Sequence, residues 1–316
     1  MNKVTLGSTG LQINPLVYGT LPLGPLQAGV SVAEGGRLIR HALERGVTLL
    51  DTAELYETYP HVRAALQGYR GEVRIATKTH APDGALARTH VEKALRELGV
   101  DRLDIVHLHG ARVADPFLER AEVLENLLQM KEEGKIAHVG LSSHYISAIR
   151  KAAAHPAIEV LHPLINRTGM GILDGSAEEM AGAIAAAARA GKGVYAMKAL
   201  AGGNLIGQAR ASLSFVLALP GVHGVAVGML SEKEVEANLA LFAGDSADER
   251  VWEGLENQRR HLRIMDRFCK GCGACVPACT NNALSIGEGT ARVDDGECIL
   301  CGYCAAACPE FLIRVV

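Results

Sequence analysis

From residue 13 to residue 241 the chain alternates between short apolar runs and stretches whose apolar positions recur every three or four residues. The apolar runs predict eight strands: Ile13–Gly19, Thr48–Ala53, Val73–Thr79, Leu103–His109, Ile136–Ser143, Ile158–Asn166, Gly193–Ala199 and Val222–Gly228. A helix is predicted after each, in order Ala33–Glu44, His61–Gln67, Ala87–Leu98, Phe117–Glu133, Ile146–Ala154, Ala177–Ala190, Ala209–Ala218 and Glu232–Leu241. Eight strand–helix units over about 230 residues predict an α/β fold, a (β/α)8 barrel of the TIM type. An open doubly wound sheet is the alternative, weakened because no G-x-G-x-x-G follows the first strand. Ahead of the barrel, Val4–Ile13 with Gly7 and Gly10 predicts a short hairpin.

Composition changes this picture at one end of the chain. At 48% hydrophobic and 21% charged residues, a substantial core is expected and wholesale disorder is excluded. Thirty-two basic against 35 acidic side chains give a net charge of −3, which offers no reason to expect nucleic acid or a membrane surface as partner. No apolar run approaches the ~20 residues of a membrane span. The opening MNKVTLGSTG lacks the apolar stretch of a signal peptide, so the cytoplasm is the expected location. All eight cysteines lie between Cys269 and Cys308, a segregation that argues against a secreted disulfide fold.

Their spacing is Cys269-x2-Cys272-x2-Cys275-x3-Cys279, repeated 29 residues later as Cys298-x2-Cys301-x2-Cys304-x3-Cys308-Pro309. This resembles the bacterial ferredoxin pattern, in which the fourth cysteine of each run serves the other cluster. The resemblance implies one [4Fe–4S] cluster on Cys269, Cys272, Cys275 and Cys308, and a second on Cys298, Cys301, Cys304 and Cys279. Structural zinc fits less well, since zinc sites show two separated C-x2-C pairs rather than two runs of four. One departure stands out: Thr280 follows the first run where proline often does, and Pro277 lies inside it. The expected organisation is a barrel over 1–243, a charged linking helix over 244–265 opening with a Gly-Asp-Ser turn, and a small α+β dicluster ferredoxin-like domain over 266–316. Glu249, Arg250, Glu253, Glu256, Arg259 and Arg260 read as the solvated face of that helix.

A barrel carries its chemistry at the carboxyl ends of its strands. Asp51 and Tyr56 follow the second predicted strand, Lys78 nears the end of the third, and His109 ends the fourth. The segments LGSTGLQINPLVYGT, GVTLLDTAELY, IATKT, LDIVHLH and VGLSS run in the order of the aldo-keto reductases, a family that residues 1 to about 243 resemble. With its cysteine-rich end the chain is similar to the members that carry carboxyl-terminal iron–sulfur clusters. The resemblance implies a catalytic tetrad of Asp51, Tyr56, Lys78 and His109. Tyr56 would be the proton donor, and the Lys78 ammonium, fixed by Asp51, would favour its phenolate. His109 would orient the carbonyl oxygen. Family members that reduce conjugated double bonds tend to carry an acid in place of this histidine, so carbonyl chemistry is expected. His107 shares a strand face with His109 and is expected to line the barrel interior.

The resemblance further implies a nicotinamide cofactor, NAD(H) or NADP(H), with Thr20, Ser142, Ser143, Asn166 and His162 near the nicotinamide. Met197 stands where the family usually stacks an aromatic ring, and Asn238 where adenine is contacted. Lys198 and the Ala201-Gly202-Gly203-Asn204 loop before a helix suit a phosphate site. Glu234 stands where NADPH-dependent members carry an arginine for the 2′-phosphate, which predicts acceptance of NADH at least as well as NADPH. Ser231-x-x-Glu234 also reads as a capping box.

The expected function is interconversion of a small carbonyl and its alcohol by nicotinamide hydride transfer. The clusters would exchange electrons with a redox partner protein, report redox state, or staple a segment too small to form a core unaided. The alternative is an iron–sulfur electron-transfer or redox-sensing protein with the barrel as docking module.

Overall fold

The predicted alternation closes on itself. A computed structural model describes residues 1–111, 113–245 and 249–316. Its eight parallel barrel strands are Leu16–Gly19, Leu49–Asp51, Arg74–Thr79, Leu103–Gly110, Ile136–Ser143, Val160–Pro163, Gly193–Ala196 and Gly224–Val227, and the eighth pairs with both the seventh and the first. Such strands are covered on both faces, which is why they read as unbroken apolar runs. Helices follow each strand, and several are capped by the residues that precede them. Ser31 accepts from the Glu34 amide, Asp83 from Leu86, and Ser176 with Glu179 forms a reciprocal capping box. The helix predicted over 117–133 is two, Pro116–Glu119 and Ala121–Glu132, because the Arg120 backbone leaves helical geometry between them.

The hairpin is present, with Val4 opposite Ile13 and Thr5 opposite Gln12. It closes the floor of the barrel: Leu6 and Ile13 are fully buried and pack with Val17, Leu49, Ala76, Ile105, Val160 and Tyr195 inside it. The Ser8 amide donates to the Gly191 carbonyl at 2.8 Å, fastening the hairpin beside the start of the seventh strand.

The stretch 244–265 is helical only over Glu249–Glu256. Ser246 of the predicted turn lies outside the described residues, as does the Glu249 side chain. The helix packs on the barrel through Trp252, which is 2% exposed and belongs to the barrel's core. Beyond it, Leu262–Ile264 is a strand that pairs antiparallel with Ile313–Val315 at the carboxyl end. The small unit therefore begins inside the stretch read as a linker, because a strand there supplies the partner that the last strand needs. A second antiparallel pair, Leu284–Gly287 with Thr290–Val293, completes its sheets.

The duplication in sequence is also a duplication of backbone. Gly271 and Leu300, Gly273 and Gly302, and Asn282 and Phe311 are pairs 29 residues apart, and all six have positive φ. The Ala283 amide donates to Cys279 Sγ and the Leu312 amide to Cys308 Sγ, again at matching positions. The core of this unit is built largely from its cysteines together with Leu262, Leu284, Ala291, Leu300, Ile313 and Val315.

Candidate active site

At the mouth of the barrel the second, third and fourth strands deliver Asp51, Lys78 and His109 to one rim, and the short turn Glu54–Tyr56 adds the phenol. The Lys78 ammonium is buried and donates to Asp51 Oδ1 (2.6 Å), Asp51 Oδ2 (2.8 Å) and the Thr52 carbonyl (2.8 Å). Those three bonds consume every N–H that an ammonium carries. The cation sits over the Tyr56 ring, 4.8 Å from its centroid. Burial pulls the Lys78 pKa down and Asp51 opposes the fall.

Tyr56 departs from expectation. Its pKa lies well above the ordinary phenol value, pushed up first by burial and then by Tyr303 and Asp51. With the donors of Lys78 spent on Asp51 and Thr52, desolvation outweighs the cation and the phenol stays protonated. His109 is held neutral, its pKa well below the usual range through burial and the Lys78 charge.

Two residues that the sequence left without a role brace this set. The Tyr195 hydroxyl donates to Asp51 Oδ2 at 3.0 Å, and His107 Nε2 lies 2.6 Å from the same hydroxyl. His107 thus lines the interior as expected. Tyr195 was hidden in the apolar run of the seventh strand, where only its odd hydroxyl signals a buried partner.

A cleft runs from Asp51 and Tyr56 across the seventh and eighth strands to the last barrel helix. Met197, Lys198, Gly202 and Asn238 line it, as does His162. Thr20 and Asn166 do not. Thr20 is fully buried and its hydroxyl is taken up by the Asp51 carbonyl and Thr58 Oγ1. Asn166 spends its amide on Thr168 and Met170 within its own loop. Ser143 likewise bonds to Gly110 and Tyr145. Ser142 does not line the cleft either, although its Oγ is buried without a partner, whereas Asn238, whose Oδ1 is also unpartnered, does line it. Buried polar atoms are ordinarily satisfied, so the Asn238 orphan fits a polar group of a ligand in the cleft. Arg260, read as solvated, lies beyond the helix end and lines the cleft with Lys198. Glu234 lines it too. Ser231 caps its helix by accepting from the Glu234 amide, while the Glu234 carboxylate accepts from the Leu230 amide at 2.8 Å.

The glycine loop after the seventh strand meets the cysteine-rich unit. A Cβ on Gly202 would lie 1.8 Å from the Ile299 carbonyl oxygen, and Asn204 Nδ2 donates to the Cys298 carbonyl at 2.8 Å. On the other side Gln27 Nε2 donates to the Leu300 carbonyl at 3.0 Å. The unit is therefore seated on the mouth, and Tyr303 from it approaches His109, with its hydroxyl 3.3 Å from Nε2. Tyr303 was not foreseen. Its one signal in sequence is that it breaks the repeat, standing where the first run has Ala274.

The eight thiols are all free and converge in two sets. Cys269, Cys272, Cys275 and Cys308 line one small cavity. Cys279, Cys298, Cys301 and Cys304 act on one another electrostatically in the other. Burial pushes the Cys298 thiol up to about 11, and burial with the neighbouring sulfurs raises Cys304 further. Four converging sulfurs without a counter-charge resist ionisation; a cationic iron core supplies that charge, so the donor sets fit iron–sulfur clusters.

Comparison with known proteins agrees with this geometry. Residues 15–210 match the aldo/keto reductase family and residues 268–312 a 4Fe-4S dicluster domain. A putative aldo-keto reductase from Pseudomonas aeruginosa is similar at 28% identity and a TM-score of 0.65, over 77% of this chain and 95% of that one. The holo form of an aldo-keto reductase from Bacillus halodurans shares the fold at 24% identity and a TM-score of 0.64, over 81% and 95% of the two chains. Among the described residues no helix is long and apolar enough to cross a membrane.

Proposed function

Because the chain belongs to the aldo/keto reductase family and ends in a 4Fe-4S dicluster domain, we propose that it interconverts a small carbonyl and its alcohol, with Tyr56 as proton donor. The observation that carries this reading is the buried Lys78–Asp51 pair, saturated with hydrogen bonds and set against the Tyr56 ring on the same rim as His109. A nicotinamide held in the cleft would supply the hydride. Tyr56 Oη–H gives its proton to the carbonyl oxygen, and the elevated pKa keeps that proton in place at neutral pH. His109 Nε2 directs the oxygen, and Lys78 stabilises the phenolate as it forms. Asn238 would hold a polar group of the nucleotide, and Lys198 with Arg260 its phosphates. The Glu234 carboxylate in the cleft repels a 2′-phosphate and so favours NADH.

Cys269, Cys272, Cys275 and Cys308, and Cys279, Cys298, Cys301 and Cys304, would hold two [4Fe–4S] clusters, which would supply one-electron transfer. A second reading makes the protein an electron-transfer or redox-sensing protein with the barrel as its seat. The close docking of the cysteine-rich unit on the mouth is what favours it.

Tyr56→Phe is expected to lower carbonyl reduction at least ~100-fold with cluster absorbance intact. Activity surviving that change removes Tyr56 from the mechanism. Titration of iron-loaded protein with NADH and NADPH separates the two readings: binding of neither overturns the reductase, and strong preference for NADPH overturns the role given to Glu234.

A further inference from the structure

The Tyr303 side chain enters the barrel's catalytic rim from outside the barrel. Its hydroxyl is 3.3 Å from His109 Nε2, and its ring meets the His109 ring edge-on with centroids 6.4 Å apart. It packs with Leu21, Leu26, Ala53 and Tyr56, and the Tyr56 and Tyr303 hydroxyls interact directly. One oxygen atom is thus addressed by both Tyr56 and His109. A carbonyl poised for reduction has to present its oxygen to the same two groups, and two oxygens cannot share one place.

The position is built into the docking. Gly302 has φ +81°, and a Cβ there would fall 2.0 Å from the Leu26 carbonyl oxygen. Backbone therefore rests on backbone at the residue next to Tyr303. Cys298, Ile299 and Leu300 are fixed to Asn204, Gly202 and Gln27 just upstream. Each fixed contact restricts where the tyrosine can point.

We infer that Tyr303 is a substrate-site residue supplied by the cysteine-rich unit: its hydroxyl holds the place of the carbonyl oxygen between Tyr56 and His109, and a carbonyl binds the tetrad only by displacing it. The inference rests on the proposed reading of Tyr56 and His109 as the pair that binds the substrate oxygen. It makes Tyr303 a determinant of affinity and specificity. Carbonyl compounds compete with an internal phenol at high local concentration, so weak ligands are rejected and the site stays closed to water when empty.

The test uses full-length, iron-loaded protein in the presence of NADH. Benzamide, whose amide carbonyl is not reduced, is titrated by calorimetry, and 4-nitrobenzaldehyde serves for turnover. Tyr303→Ala is expected to bind benzamide at least ~10-fold more tightly than the parent, with a matching fall in KM for the aldehyde and kcat within about threefold. Tyr303→Phe keeps the ring and removes the competing hydroxyl, so it should fall between the two. Cluster absorbance identifies a variant that has lost its fold, and Tyr303→Phe then decides alone. Equal benzamide affinity in the parent and in Tyr303→Phe and Tyr303→Ala overturns the inference. A collapse of kcat in Tyr303→Phe overturns it too, because the hydroxyl would then be taking part in proton transfer. Tighter benzamide binding with no aldehyde turnover in any form leaves the displacement standing and rejects the carbonyl reductase reading instead.

Discussion

The two four-cysteine runs are copies of one motif placed in opposite surroundings. The set of Cys269, Cys272, Cys275 and Cys308 lies on the solvent side: Cys272 is exposed, Cys269 and Cys308 half-buried and Cys275 buried, and Phe268 and Phe311 close by are 68% and 75% exposed. Cys279, Cys298, Cys301 and Cys304 are all buried, and the segment that carries the last three rests on the barrel mouth. The backbones match, down to the paired positive-φ residues, so local conformation is not the source of the difference. What differs is the side chains between the cysteines, Ala274 in the outward copy against Tyr303 in the inward one among them, together with the surface each copy meets. A duplicated motif has acquired a face for solvent and a face for the barrel while keeping the cysteine spacing and the backbone turns of its loop.

The strongest way to break this comparison is to challenge matched glycines. Gly273 and Gly302 share the left-handed conformation, and alanine at either pays about 1 kcal/mol for it. Only Gly302→Ala also drives a methyl into the Leu26 carbonyl; a Cβ on Gly273 comes no nearer than 4.0 Å to any neighbour. Gly302→Ala is therefore expected to loosen the unit and raise trypsin cleavage at Arg259 and Arg260 by roughly tenfold, while Gly273→Ala leaves it nearly unchanged. Equal cleavage of the two variants would erase the distinction between the faces.

A smaller effect is expected in redox titration. Lys198 lies in the cleft, where the sulfurs of Cys301 and Cys298 act on it electrostatically. NADH binding should shift the potential of the inward cluster by roughly tens of millivolts and leave the outward one in place, read by EPR at controlled potential. A shift confined to the outward signal would reverse the assignment of the two sets.

The smallest expected effect is in the pH profile. Tyr56 has a raised pKa, so the protonated donor is present at every pH below it; His109 has a lowered one, so the neutral ring is present at every pH above it. Neither group changes form between pH 6 and pH 9, and the rate of reduction should vary less than about twofold there. A tenfold fall across that window would show that the inward face is wetter than its burial implies.

How far the sequence could be read followed the range of the interactions involved. Barrel strands were legible because burial on both faces leaves no polar alternation. The helices were legible through amphipathic spacing and caps such as Ser176 with Glu179. Asp51, Tyr56, Lys78 and His109 could be picked out because three of them end or near the end of consecutive strands and Tyr56 follows the first of these by a short turn. Thr20 and Asn166 show the limit of that reading: the residue type fits the family position, yet local partners take up the side chain. Tyr195, Arg260 and Tyr303 escaped because their roles depend on partners 100 or more residues away, or on the docking of one unit upon another. No periodicity encodes such contacts. Only a break in the repeat marked Tyr303.

The floor of the barrel is closed by the amino-terminal hairpin, and its mouth is met by the cysteine-rich unit. Cys298, Cys301 and Cys304 are buried with the unit docked, so iron and sulfide would reach them more readily before docking than after it. A chain that docks too early would carry metal in its outward set alone. Cluster loading would thereby precede docking, and iron supply would bear on which molecules acquire a covered mouth.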